Sequence, residues 1–252
     1  MRAPSLKPLL LALPTLLLAG LIFAGCGGGG GGTATTGNNN GGGNNGGGGI
    51  TISISPQAPR TVPGGQIFFQ ATVIGGGGVT WADDYGTITA QGSTTAKYTA
   101  PQQNLLDVVT ATATNDATVS KSVVVGVVDA THIVVGGFVY QTASTTPEPG
   151  IVVQLFDSTG KQVASATSAA DGSWSTVTPA SAVSFSLQPA SLINMQANAI
   201  FQYNNLGYTA LSATCHAPLP HLSIGQAVVL PGGPIYVFPD ATVPPPPDGC
   251  TQ

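Results

Sequence analysis

The side chains able to do chemistry in this chain are few and scattered. Asp83 and Asp84 stand together in Ala82-Asp83-Asp84-Tyr85-Gly86, and adjacent carboxylates on a turn can offer oxygens to a calcium ion. Calcium wants about six to eight oxygens, the EF-hand spacing is absent, and Asp is favoured in turns for its own backbone hydrogen bonds, so the pair reads as a turn. A glycosidase couple would need the two carboxyls opposed across a cleft, whereas neighbours on a strand point apart. Cys215-His216, with His221, sets a thiol beside an imidazole, but adjacent side chains do not line up for proton transfer and no acid stands near to orient the base. His132 is isolated, and the three histidines lack a ligand spacing such as HxxxH, so no zinc site is expected. There is no Gly-x-Ser-x-Gly elbow, and no Lys-Ser/Thr follows the long glycine run to make it a phosphate-binding loop. The expectation is a non-enzymatic chain with no catalytic residue, no metal and no cofactor.

The N-terminus is more telling. Arg2 and Lys7 precede an apolar run from Leu9 to Phe23, broken only by Pro14, Thr15 and Gly20. A spanning helix wants about 20 apolar residues and tolerates an interior proline poorly, whereas the apolar part of an export signal needs about 7 to 15. Residues 1–25 therefore read as a signal peptide. The run closes on Phe23-Ala24-Gly25-Cys26, which resembles the lipobox of bacterial lipoproteins, with Phe23 in place of the usual Leu. The resemblance implies that the Cys26 sulfur carries a diacylglyceryl group and that Cys26 becomes the acylated N-terminus, giving the protein the membrane as a partner. Three cysteines would leave an odd one in an exported chain. Lipid on Cys26 leaves Cys215 and Cys250, which can pair with each other, bridge to another chain or stay free. A bridge between them would stabilise the fold by at most about 4 kcal/mol.

After Cys26, residues 27–49 are only Gly, Asn, Thr and Ala, with nothing large enough to offset the entropy of ordering the backbone. Residues 26–49 thus form a lipidated cysteine and a flexible tether, with an r.m.s. span of about 25 Å and a full stretch of about 80 Å. The chain beyond the signal keeps four basic residues, Arg60, Lys97, Lys121 and Lys161, against ten acidic ones, a net charge of about −6. Four scattered cations cannot build the basic stripe that phosphate backbones need, which excludes a nucleic-acid partner. Only 6 % of residues are charged; the abundant Val, Thr, Gly and Pro favour short strands and turns.

From Ile50 the pattern alternates. Ile50, Ile52 and Ile54 point one way and Thr51, Ser53 and Ser55 the other, then Ile67, Phe69, Ala71 and Val73 alternate with Phe68, Gln70 and Thr72. Further strands follow at Val79–Trp81, Thr87–Thr89, Ala96–Tyr98, around Val109–Ala113, and at Val119–Val128, making seven in about 80 residues, as in a sandwich. The strings ISISPQAPRTVPGGQIFFQATV, VTW, KYTAP and DVVTATATNDATVSKSVVVGV resemble bacterial Ig-like domains over 50–129. The resemblance implies core roles for Phe69 and Trp81 and a spacer, adhesive or carbohydrate-contacting module.

Beyond Asp129-Ala130-Thr131, IVVGGFVYQ and PEPGIVVQLFDSTGKQVASATSAADGSWST read as strands with turns at Ser158-Thr159-Gly160 and Asp171-Gly172. Gly137-Phe138-Val139, Pro149–Val153, Leu155-Phe156-Asp157 and Ala170–Trp174 resemble the carboxypeptidase-regulatory-like, prealbumin-like sandwich, shared in outline with Cna-B surface repeats. Strands at Ala199–Tyr203, Tyr208–Leu211, Ala227–Leu230 and Ile235–Phe238 should complete a module over 131–243. Residues 244–252 form a tail whose Pro244–Pro247 should run as polyproline II. The Cna-B likeness raises an isopeptide bond from Lys161 with Glu148 beside it, but Lys161 lies in a Thr-Gly-Lys-Gln turn where a solvated lysine is the default.

The fold expected is all-β: two tandem antiparallel β-sandwiches, Ig-like then prealbumin-like, after a signal peptide and a disordered Gly/Asn linker. The function expected is that of a non-enzymatic, membrane-anchored envelope lipoprotein with a structural, adhesive or binding role, its ligand a protein or a glycan. The alternative is a carbohydrate-binding accessory, with Trp174, Tyr85, Tyr203 or Tyr208 as a flat face for sugar rings. Aromatics are 6 % of the chain and several must be core.

Overall fold

A computed structural model describes residues 49–142, 146–192, 200–238 and 249–250. The signal peptide, Cys26, nearly all of the tether and the Pro244–Pro247 run lie outside the described residues. Strands β1 (Thr51–Ser55), β2 (Arg60–Thr61), β3 (Gln66–Ile74), β4 (Val79–Asp83), β5 (Thr87–Ala90), β6 (Thr95–Thr99), β7 (Leu105–Ala113) and β8 (Ser120–Val127) form two four-stranded sheets, β1-β3-β6-β5 and β2-β8-β7-β4. The alternation read from the sequence is the burial pattern observed: Ile54, Phe69 and Ala71 face inward and Thr51, Phe68 and Gln70 outward. Phe69 packs on Trp81 at 6.0 Å between ring centroids and edge-on to Tyr98 at 6.2 Å. Each such buried aromatic stabilises the fold by about 1.5 to 3 kcal/mol. There are eight strands here, not seven. The extra one, β2, is a two-residue piece bonded in parallel to β8, too short to leave a periodic trace.

The rest of the chain supplies β9 (Val134–Gln141), β10 (Val152–Asp157), β11 (Gln162–Thr167), β12 (Ser173–Val177), β13 (Ala182–Leu187), β14 (Ile200–Tyr203), β15 (Leu206–Thr209), β16 (Ala217–Pro218), β17 (Ala227–Val229) and β18 (Ile235–Val237). One sheet runs β11-β10-β13-β16 and the facing one β12-β9-β18-β14-β15, with β17 also on β9. Val135, Val139, Leu155, Phe185, Phe201 and Val237 fill the space between them. The pairing is not wholly antiparallel as expected, because β17 and β18 both run parallel to β9. The strand expected at Tyr208–Leu211 begins two residues earlier. Asn204 and Asn205, at φ 50° and 61°, make a two-residue hairpin turn with both residues left-handed, which fixes Tyr203 opposite Leu206.

The two sandwiches touch along strands that are apolar on both faces. Val123, Val125 and Val127 of β8 point into the first core, while Val124 and Val128 point out, meeting Leu106, Val134 and Ala227 in a small shared cluster. Two glycines allow this approach. A Cβ on Gly126 would stand 2.6 Å from the Ala227 Cβ, and one on Gly136 would stand 2.7 Å from Leu106 Cδ1. The junction itself is pinned by Asp129, whose carboxylate accepts from Asn104 Nδ2 at 2.9 Å, Thr131 N at 2.8 Å and Thr131 Oγ1 at 2.7 Å. His132 is therefore not isolated, since its Nδ1 lies 2.8 Å from the same carboxylate.

Candidate functional site

Asp107 is the buried carboxylate on which the site depends. It sits inward on β7 with no exposure to solvent, where an unsatisfied charge would be costly. Its Oδ1 accepts from the backbone N–H of Asp84 (3.2 Å), Tyr85 (3.1 Å) and Val108 (2.8 Å). Its Oδ2 accepts from Gly86 N at 2.9 Å and from the Tyr98 hydroxyl at 2.6 Å. These bonds fix the turn after β4 and set Tyr85 at its tip, 52 % exposed. Burial, and then the bond to Asp107, hold the Tyr98 phenol far above its ordinary range.

Across the junction, the turn before β12 presents Asp171. Its Oδ1 accepts from Ser173 N at 3.0 Å and Ser173 Oγ at 2.7 Å, and Gly172 takes φ 79° to reverse the chain. Partial burial, and then the Asp171 charge, push the Tyr85 and Tyr140 phenols up. Burial, and then the charges of Asp171, Asp107 and Asp83, push the Asp84 carboxyl up to about 6. Water reaches its outer side and limits how strongly that shift is felt.

Around Asp171 lies a strip of rings. On β9, Val135 and Val139 point into the core, so Phe138 and Tyr140 point outward, their rings offset-stacked at 5.8 Å and 21°. Tyr236 of β18 stands opposite Tyr140 in the parallel register. Phe138 and Tyr85 line one groove together with Leu106, Val124, Ser173 and Val229; its enclosed space is about 20 Å³, room for roughly one water molecule. Among the described residues no Lys or Arg lines it, but it adjoins a larger pocket of about 220 Å³ that shares Leu106, Val124 and Val229 and is lined by Arg60.

Three of the four residues expected to offer a flat face to sugars do not. Trp174, Tyr203 and Tyr208 are 4 %, 4 % and 3 % exposed and belong to the second core, Trp174 because it stands opposite Gly137 on the inward side of β12. Tyr85 alone of the four stays at the surface. Phe138, Tyr140 and Tyr236 were missed because their strands are apolar on both faces and period two gives no sign of which face is outside. The alternation of Phe138 and Tyr140 about Val139 was the signal available.

The other sequence candidates fall as follows. Cys215 and Cys250 are joined in a disulfide, with Cα atoms 5.0 Å apart, and Gly249 N donates to Gly207 O at 2.7 Å. His216 does not face that sulfur chemistry: it stacks on Phe156 at 4.1 Å, and burial pulls its pKa down. Glu148 Oε2 accepts from Gln141 Nε2 at 2.7 Å, while Lys161 is exposed beside Asp157 of its own turn. Among the described residues, no three His, Cys, Asp or Glu side chains gather as a metal would require.

No protein-family profile matches the chain, and no curated protein matches it. Among solved structures it is similar to the adhesin InvE of Yersinia pseudotuberculosis, at 12 % identity over 55 % of this chain and 53 % of that one, with a TM-score of 0.26. It is also similar to BcpA, the major pilin subunit of Bacillus cereus, at 11 % identity over 76 % and 70 % of the two chains and a TM-score of 0.25. The T6 backbone pilin of serotype M6 Streptococcus pyogenes follows at 9 % identity over 80 % and 67 %, with a TM-score of 0.22. The chain spans about half the length of the adhesin it matches. None of these likenesses bears on what this chain does.

Proposed function

We propose that this chain is a non-enzymatic envelope lipoprotein, exported and held to a membrane by lipid on Cys26, which carries two joined β-sandwiches on a flexible tether for a structural, adhesive or binding role. The observation that carries the reading is Phe23-Ala24-Gly25-Cys26 at the close of an export signal, followed directly by 23 residues of Gly, Asn, Thr and Ala. The tether is long enough to lift the sandwiches clear of the lipid headgroups, and the pairing of β1–β8 and of β9–β18 among themselves supports a division into two modules. The test is metabolic labelling with a fatty acid followed by detergent phase partitioning. The wild-type chain takes label and enters the detergent phase, and Cys26→Ala loses the label and stays aqueous. Equal labelling of the two would sink the lipoprotein reading.

A further inference from the structure

We propose that the pocket between the sandwiches beside Arg60 binds a small aliphatic monocarboxylate, with its carboxylate on the Arg60 guanidinium and its apolar body against Leu106, Val124 and Val229. The proposal goes beyond the lipoprotein reading and stands whether or not Cys26 carries lipid.

The walls give the first argument. Pro59, Leu106 and Val124 line the pocket from the first sandwich and Ala227 and Val229 from the second, and Arg60 is the single charged residue among them. No other lining side chain can hydrogen-bond, so a ligand held there must be apolar except where it meets the guanidinium. Space sets its length. The adjoining groove, at about 20 Å³, holds roughly one water, so a pocket of about 220 Å³ holds about ten non-hydrogen atoms, the size of an acid of about eight carbons.

Backbone bonds hold the cation in place. β2 runs parallel to β8 with Arg60 opposite Gly126, while Gly126 N donates to Pro59 O and Val128 N to Thr61 O, both at 2.9 Å. A Cβ on Gly126 would stand 3.5 Å from Arg60 Cγ as well as pressing on Ala227, so the bare backbone here lets the Arg60 stem lie close to the second sandwich. The chain has ten acidic residues, yet among the described residues Arg60 forms no ion pair, and the pair present there joins His132 to Asp129. A guanidinium with apolar walls and no carboxylate of its own is a seat for one, since its planar fork takes both oxygens through parallel N–H···O bonds. The far end has the opposite charge. Tyr85 lines the adjoining groove, where burial, and then the charges of Asp171, Asp84 and Asp107, push its phenol up. An acid is therefore oriented, head on Arg60 and uncharged tail toward Tyr85.

The test is titration calorimetry on residues 26–252 carrying Cys26→Ala, so that neither lipid nor detergent competes, with octanoate as the probe and octanol, octylammonium and acetate as comparisons. Octanoate should bind one to one with a Kd of about 0.1 mM, within reach of a ligand of about ten non-hydrogen atoms. Octanol, which has the body without the charge, should bind at least about tenfold more weakly, and octylammonium and acetate should not bind. Arg60→Gln should weaken octanoate about tenfold, and Val229→Trp should abolish its binding by filling the pocket. Arg60 is exposed on a two-residue strand, so its substitution keeps the fold and the test stays readable if Val229→Trp does not fold. No binding of octanoate, binding that survives Arg60→Gln or Val229→Trp, or equal binding of octylammonium would overturn the proposal. So would tighter, Arg60-dependent binding of an acetylated tripeptide ending in a leucine carboxylate, which would give the pocket to the C-terminus of a partner protein.

Discussion

Each sandwich has a segment tied down by a single side chain, and the two ties differ in kind. In the first, the turn at 84–86 hangs on the Asp107 carboxylate, which gathers four backbone N–H groups and a phenol. In the second, Gly249 and Cys250 are held by the Cys215–Cys250 bond and by the Gly249 N–H donated to Gly207 O. A hydrogen-bonded pin acts in the folded state, where its loss strands every donor it had satisfied. A covalent pin acts mainly on the unfolded chain, by limiting the conformations that chain can explore. The non-covalent device is therefore the more costly of the two to lose.

Asp107→Ala should then be the most damaging single change, lowering the unfolding free energy by about 3 to 5 kcal/mol in urea titration, because several buried donors lose their acceptor at once. A cost below that of opening the disulfide would reverse the ranking. Cys250→Ser comes next, frees a loop with a sequence separation of 35, and should cost about 2 to 4 kcal/mol. The folded wild-type protein should weigh two hydrogens less than the reduced one, and two reactive thiols in it would break the comparison outright.

The smallest effect concerns Asp84, which owes its place to the first pin. Its folded pKa of about 6 lies above the ordinary 3.8, so between those values the folded protein keeps a proton that the unfolded chain has released. The Asp84 contribution to stability accordingly falls as pH rises from 4 to 6, with the full penalty present above that window and none of it below, while His216, lowered from 6.5, contributes in the opposite sense just below 6.5. Asp83 is raised in the same sense, whereas Asp116, Asp129 and Asp157 are lowered and act below the window. In melting temperature against pH, Asp84→Asn should flatten part of the slope between pH 4 and 6; a slope identical to wild type would mean that the Asp171 and Asp107 charges do not reach it.

The pattern of residues carried the architecture further than it carried the site. Alternation at Ile50–Ser55 and Ile67–Val73 placed the first core correctly, because those strands have one wet face. Counting cysteines led to Cys215 and Cys250 without any geometry. Asp107 was missed because Leu105-Leu106-Asp107-Val108-Val109 is buried on both sides; in such a run a lone carboxylate carries no mark of which way it points. Trp174 was misplaced for a related reason. It follows an Asp-Gly turn, where exposure is the usual expectation, but it stands opposite Gly137, and the space left by the missing side chain is inside the core. The groove forms where the sandwiches meet and is lined by residues about 50 positions apart, Tyr85 and Phe138, which no local pattern records.

The position of β9 has a mechanical consequence. It is the first strand after the junction, and it is bonded on one side to β12 and on the other to β17 and β18. In the proposed arrangement, with the membrane at the N-terminal end and a partner gripping the second sandwich, tension enters that sandwich at Val134 and runs along the strand. Bonds perpendicular to the pull cannot open one after another as in a zipper. The ladders on both flanks must shear together, so β9 is the strand of that sandwich best placed to bear a load.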